Sequence, residues 1–512
     1  MDKGCLKAKK MFQFENKCHK RNFIITLCVY FNFILLGWTY GQLGTAFVDI
    51  QQILSTSVQQ TSLIFTMNSC GYMLGSLLIG ALYDRVPKLK LLGLLTILNG
   101  VTSALLPWCS SFGLFLFVRL VDGTLCGGRD GGGNAKVSSC WGFAVRPYMQ
   151  ALHFTYAFGG IISPIVTSHF LAPRITLRNP TTNVSYGNGT NTSAFVQSSN
   201  RHGDYNNSMV DDERAEHSFT VIDTDKWGTF NNSNSIIDET VVYGESHVHI
   251  AFAVTGILTA LSGCLYLVLY GFGYETVPSY QPTVDSPPQN VIKDHGIPHH
   301  TRASLSRSQT VVFLIVFGGA FVAYCAIECK YQSFIMPYVT NQLKWTKQMG
   351  AFLIALVWAS FGSGRFVNIF ISRFVSSQNM IIGYLILLLL ASAGVYLEGG
   401  LGVAHTTWIM VPLAAFAMAP MYPTFIVWIQ ENIMDFTGKI SGIFMFTGAL
   451  GFMIDPLYIG YLMEHFSPLY LIYINVIQCS FCLGIVLLLT CQIRKLKRKI
   501  RPGKADEILS ET

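Results

Sequence analysis

Charge is scarce in this chain. Only 12% of its 512 residues are Asp, Glu, Lys or Arg, where a soluble domain carries about 25%. With 51% hydrophobic residues, that scarcity excludes a soluble globular protein and leaves a polytopic membrane protein. A disulfide framework is also missing. Of thirteen cysteines, Cys28, Cys70, Cys126, Cys264, Cys479 and Cys482 lie within apolar runs and read as small hydrophobes. No Gly-rich phosphate loop, metal-ligand spacing or nucleophile constellation occurs, which argues against an enzyme, a metal site and a bound cofactor. No small-x-small cleavage site follows the apolar run from Phe23, so that run reads as a first span rather than a leader. The net charge of +7 does not point to nucleic acid. Seven basic residues cluster in 3–21 and seven more in 494–504.

A crossing of bilayer hydrocarbon takes about 20 apolar residues. Runs of that kind fall at 23–44, 61–83, 89–107, 112–137, 147–171, 249–272, 311–337, 348–371, 379–397, 407–430, 440–462 and 468–491. Twelve spans result, divided six and six by a Pro-, Ser- and His-rich segment at 274–309 that reads as a linker. The expected organisation is a cytoplasmic tail (1–22), a six-helix half (23–273), the linker, a second half (310–492) and a basic tail (493–512). Basic flanks stay in the cytoplasm, so both termini are expected inside. Residues 45–60 hold no Lys or Arg, while 84–90 hold three, as the alternation requires. Lys344 and Lys347 run against it, on the expected outer side. The connection 172–248 is long and polar, and it alone contains N-x-S/T sequons, at Asn183, Asn188, Asn191, Asn206 and Asn231. Such sites are used only on the luminal or extracellular side, which agrees with the charge alternation and predicts a glycosylated outer loop.

The two halves repeat. Residues 154–164, FTYAFGGIISP, return 292 positions later as FTGALGFMIDP, with six of eleven identical. Gly admits close backbone approach, and Pro removes a backbone hydrogen bond and bends a helix. Interrupted helices at matching positions of two halves point to a transport path between them.

The stretch Gly80-Ala-Leu-Tyr-Asp84-Arg85-Val-Pro-Lys88 resembles the turn between the second and third helices of the major facilitator superfamily. It departs at Pro87, where the family prefers Gly. Gly71, Gly75 and Gly80 precede it in a spacing that lets membrane helices touch. Further motifs are Gly41-x-Leu-Gly44-x-x-Phe47-x-Asp49, 61–65, Asp130-Gly-Gly-Gly-Asn134, Trp141-Gly142, 149–154, 417–423, Trp428, 437–439 and 448–451 with Pro456. Together they resemble the sodium-dependent glucose transporter branch, related to the fucose permeases. The resemblance implies an all-α membrane protein of twelve transmembrane helices in two six-helix pseudo-repeats. It further implies a plasma-membrane secondary transporter of a hexose-like sugar or polyol, working by alternating access with Na⁺ or H⁺ as coupling ion. It assigns gating to Asp84, Arg85 and Lys88, and coupling to Asp130 and Glu328. The expected partners are a small sugar-like solute and the lipid bilayer, with the chain monomeric. Two rivals stand beside it: a carrier of another small solute such as an organic anion, and a non-transporting receptor or scaffold.

Ionisable groups inside a bilayer cost about 2.5–3.5 kcal/mol each, so they face a cavity or one another. Here they are Arg119, Arg129, Asp130, Lys136, Glu328, Lys330, Arg365 and Asp455. A carboxylate in such a cavity either binds a cation or takes a proton; its other use is a salt bridge with a neighbouring span. Arg129, Lys136 and Lys330 crowd both acids, which also leaves room for an anionic solute or uncoupled passage. Sugars need hydrogen bonds to hydroxyls and flat aromatic surfaces. Gln150 and His153, three apart, share a helix face suited to this, and Asn134, Trp358 and Trp428 are further candidates. Trp141 and Trp408, near span ends, read as interfacial anchors.

Overall fold

The computed structural model describes residues 17–83, 85–141, 145–178, 239–276, 307–403, 405–433 and 438–510. Asp84, all five sequon asparagines and most of the 274–309 linker lie outside them.

Twelve spans are present among the described residues. Those of the first half are Lys17–Thr45, Val58–Leu82, Lys88–Leu105, Phe112–Trp141, Val145–Thr167 and Val248–Gly271. Those of the second are Arg307–Ser333, Lys347–Ile371, Ser377–Gly399, the pair Thr407–Met418 and Met421–Asn432, then Gly438–His465 and Tyr470–Lys495, the last being the first part of a helix that runs on to Ser510. Ten stretches among the described residues are long and apolar enough to cross a membrane. The fourth and fifth spans fall short of that mark. The fourth carries Arg119, Asp122, Arg129, Asp130 and Lys136, and the fifth carries Gln150 and His153.

Packing follows the repeat. First meets fifth, second meets fourth and third meets sixth; six positions on, seventh meets eleventh, eighth meets tenth and ninth meets twelfth. The halves join symmetrically, second against eleventh and fifth against eighth. Large apolar side chains such as Leu98, Ile315 and Leu390 stay exposed, as a surface facing lipid requires.

Two glycine sites explain the tightest seams. A Cβ on Gly71 or Gly75 would overlap the Leu120 and Thr124 carbonyls of the fourth span. Gly80 has nothing within 4 Å and is not part of this seam. In the repeat, Gly159 abuts the Ile34 carbonyl of the first span, and its counterpart Gly451 abuts the Val322 carbonyl of the seventh.

Three departures from expectation have physical causes. The tenth span, expected whole, breaks at Ala419–Pro420, because Pro420 and Pro423 cannot donate backbone hydrogen bonds. Tyr324 Oη donates instead to the Met418 carbonyl (2.8 Å), and Arg365 Nε to that of Ala419 (3.5 Å). The first and seventh spans each end in a short extra helix, Phe47–Ile53 and Ile335–Asn341, and these two touch. The 172–248 connection, read from the sequence only as long and polar, has its two ends paired as an antiparallel ribbon, β1 (Arg174–Arg178) with β2 (Glu239–Tyr243). Trp141 is a further correction. It is buried, stacked on Tyr148 with ring centroids 3.6 Å apart, and donates to Thr26 Oγ1 (2.8 Å). Trp408 is half-buried at the start of the tenth span and stacks on Trp345.

Candidate functional site

Between the halves lies a cavity of about 1390 Å³. The first half contributes Tyr40, Asn68, Tyr72, Asp130, Asn134, Gln150, His153 and Tyr156; the second contributes Glu328, Gln332, Phe361, Arg365, Asn368 and Tyr422. The wall is thus hydroxyl, amide and carboxylate groups set among aromatic rings.

Each acid is held by neutral donors. Asp130 accepts from Tyr72 Oη and from Asn134 Nδ2 (2.7 Å). Glu328 accepts from Gln332 Nε2 (3.0 Å) and shares the single Tyr324 Oη proton (3.1 Å) with the nearer Met418 carbonyl (2.8 Å). The crowding cations turn elsewhere. Arg129, fully buried, points back into the first half, where Asn99 Oδ1 and Asn32 accept from it. Lys136 sits 3.8 Å from Glu275 at the end of the bundle. Lys330 pairs with Asp455 at 2.6 Å and also donates to Gln478 Oε1 (2.6 Å). The salt-bridge use of intramembrane charge therefore holds for Lys330–Asp455 and for Arg119–Asp122 (2.6 Å). Among the described residues no ion pair involves Asp130, Glu328 or Arg365. Arg365 lines the cavity, its guanidinium 4.5 Å from the centre of the Phe361 ring.

Of the residues expected to touch a sugar, Asn134, Gln150 and His153 line the cavity. Asn134 Oδ1 is buried with no hydrogen-bond partner among the described residues. Trp358 and Trp428 are corrections. Trp358 lies behind the wall, against Tyr156 and Phe361. Trp428 is wholly buried among Phe313 and Phe317. Sequence reasoning passed over Tyr40, Tyr72 and Tyr156. A tyrosine in mid-span was the available signal, since its hydroxyl needs a partner inside the bilayer.

The cavity is open at one end. Its wall reaches the turn after the eighth span, at Arg373, Phe374 and Val375, on the side that carries the 82–88 turn. There Glu275 accepts from the backbone N–H groups of Lys88 (3.0 Å) and Leu89 (2.7 Å), capping the third span within the first half. Lys88 Nζ lies over the Tyr83 ring, and Arg85 N donates to Leu82 O, so the contacts seen for this turn stay in its own half. At the opposite end the halves meet. Phe47, Phe65 and Phe334 pack with centroids 5.8 Å apart. Ser62 Oγ donates to Pro456 O (2.8 Å), Thr66 Oγ1 to Met453 O (3.0 Å) and Gln59 N to Glu464 Oε2 (2.7 Å).

Residues 23–176 and 240–456 match the model of the Major Facilitator Superfamily. The chain belongs to that superfamily. It is a multi-pass membrane transporter, and a cavity sealed at one end fits alternating access. Sodium-dependent glucose transporter 1A of Mus musculus is 24% identical over 453 residues, covering 86% of this chain and 90% of the relative. Sodium-dependent glucose transporter 1 of Homo sapiens is 24% identical over 462 residues, covering 89% and 76%. Among solved structures, the inward-open xylose transporter XylE from E. coli aligns at TM-score 0.56 and 12% identity, over 90% of this chain and 95% of that one. The nucleoside transporter NupG aligns at 0.55 and 10%, over 92% and 98%. At such identities these structures show the shared fold.

Proposed function

We propose that this chain moves a hexose-like sugar or polyol across the plasma membrane by alternating access, unchanged chemically. Solute passage is tied to Na⁺ or H⁺ through Asp130 and Glu328. The observation that carries the reading is the cavity wall: two carboxylates from opposite halves, each held by neutral donors, beside Asn134, Gln150, His153 and tyrosine hydroxyls. Hydroxylated solutes are bound by such groups. The relatives named for sodium-dependent glucose transport support the same solute class. In this reading the chain works as a monomer in the bilayer with both termini cytoplasmic, and the structure is the inward-facing state. Asp84, Arg85 and Lys88 then close the inner end in the opposite state.

Labelled hexose uptake by proteoliposomes tests the solute assignment. Asn134→Ala and Gln150→Ala should each raise the half-maximal concentration about tenfold, equivalent to ~1.4 kcal/mol, at unchanged protein content. Unchanged values in both variants would remove the cavity wall from solute binding. Arg365 favours a second reading, an organic anion as solute. Competition by an organic anion but not by unlabelled sugars would decide for it.

The orientation has its own check. Glycosidase treatment should increase gel mobility, and replacing Asn183, Asn188, Asn191, Asn206 and Asn231 should abolish the shift. A wild-type chain with no shift would place the 172–248 loop on the wrong side.

A further inference from the structure

Lys347 opens the eighth span, where a cation meets the positive end of a helix. It is nevertheless buried, and it reaches from the second half into the first. Its Nζ lies 2.6 Å from Asp49 Oδ1, donates to Gln52 Oε1 (3.0 Å) and sits 4.2 Å from the centre of the Tyr243 ring. The other oxygen of Asp49 is taken by the loop: Ala172 N donates to Oδ2 (2.8 Å), as does Ser246 Oγ. Gly244 N to Pro173 O and His247 N to Phe170 O fasten the two ends of that loop together below the ribbon.

We propose that the base of the loop between the fifth and sixth spans is part of the outer gate, as a preformed socket for Lys347. Asp49 keeps its two loop donors whether or not Lys347 is present. Tyr243 offers its ring face to the ammonium, as aromatic rings do for cations. When the outer end opens, Lys347 leaves with the second half and the socket stays with the first. The loop base thereby sets how readily the outer end parts. The inference rests on the transport reading, and it assigns roles to Asp49, Tyr243, Ser246 and Lys347 that solute binding does not require.

A reporter cysteine at Thr66→Cys, buried in the cross-half seal, tests it in intact cells. A membrane-impermeant maleimide is added outside, and labelling of the same chain without the reporter is subtracted. Ser246→Ala and Tyr243→Ala keep both charges and should speed labelling about threefold or more, while Lys347→Met should speed it about tenfold, ~1.4 kcal/mol of gate. Rates at the level of the unmodified socket in both loop variants overturn the proposal, even with Lys347→Met accelerated. Should Lys347→Met fail to reach the surface, the loop variants still decide. An inverted orientation fails separately, through absence of the glycosidase shift.

Discussion

Asp130→Asn and Glu328→Gln should each abolish concentrative uptake while sparing exchange and downhill flux. A ligand shifts a conformational equilibrium only by its differential affinity for the two states. A carboxylate that holds Na⁺ or a proton in one state alone supplies that difference, and each ~1.4 kcal/mol of it is tenfold. Both acids line the cavity, and their partners are Tyr72, Asn134, Tyr324 and Gln332, all neutral. The amide replacements keep size and one acceptor oxygen, and the hydroxyls of Tyr72 and Tyr324 can accept from the new N–H donor, so folding should survive and the loss should fall on coupling. Counterflow of labelled solute, measured beside uptake against a gradient, separates the two. If either variant still concentrates solute at the wild-type level, that acid is not the coupling group.

Lys330→Met should behave in the opposite way, as a folding defect. Lys330 and Asp455 are fully buried and 2.6 Å apart, with Tyr458 and Gln478 completing the network. Removing one partner of a buried pair leaves an uncompensated charge and costs about 3–5 kcal/mol, enough to unfold a marginally stable chain. The amount at the cell surface should fall severalfold. The double variant Lys330→Met/Asp455→Leu should recover much of it, because an apolar pair carries no stranded charge. Surface amount is read by biotinylation and retained activity by exchange. Normal surface expression of Lys330→Met with transport lost would make this pair functional instead.

These contrasts show which parts of the design were visible in the residues. The spans, the split into halves and the 154–164 repeat were legible because apolar length and Gly/Pro placement are local properties. Asp130, Asn134, Gln150 and His153 were legible as well, since a polar group in mid-span is costly unless it faces a cavity. Pairing was not legible. Lys330 is close to Glu328 along the chain but meets Asp455, 125 positions away. Lys347, which ran against the charge alternation, meets Asp49 across 298 positions. Nothing local distinguishes a cation that neutralises its neighbour from one that crosses to another span. Trp428 failed for a related reason. A tryptophan ring suits a sugar face and a hydrophobic core equally well, and Phe313 and Phe317 claim it for the core. The break in the tenth span could have been placed from Pro420 and Pro423, whereas its repair by Tyr324 and Arg365 could not.

The most direct test of coupled sugar transport is uptake of labelled hexose into proteoliposomes, with a Na⁺ gradient and a pH gradient imposed separately. The account predicts accumulation above the external concentration under one of the two, abolished by dissipating that gradient and absent in Asp130→Asn. Uptake that only equilibrates, unmoved by either gradient, would contradict it and leave a facilitative carrier.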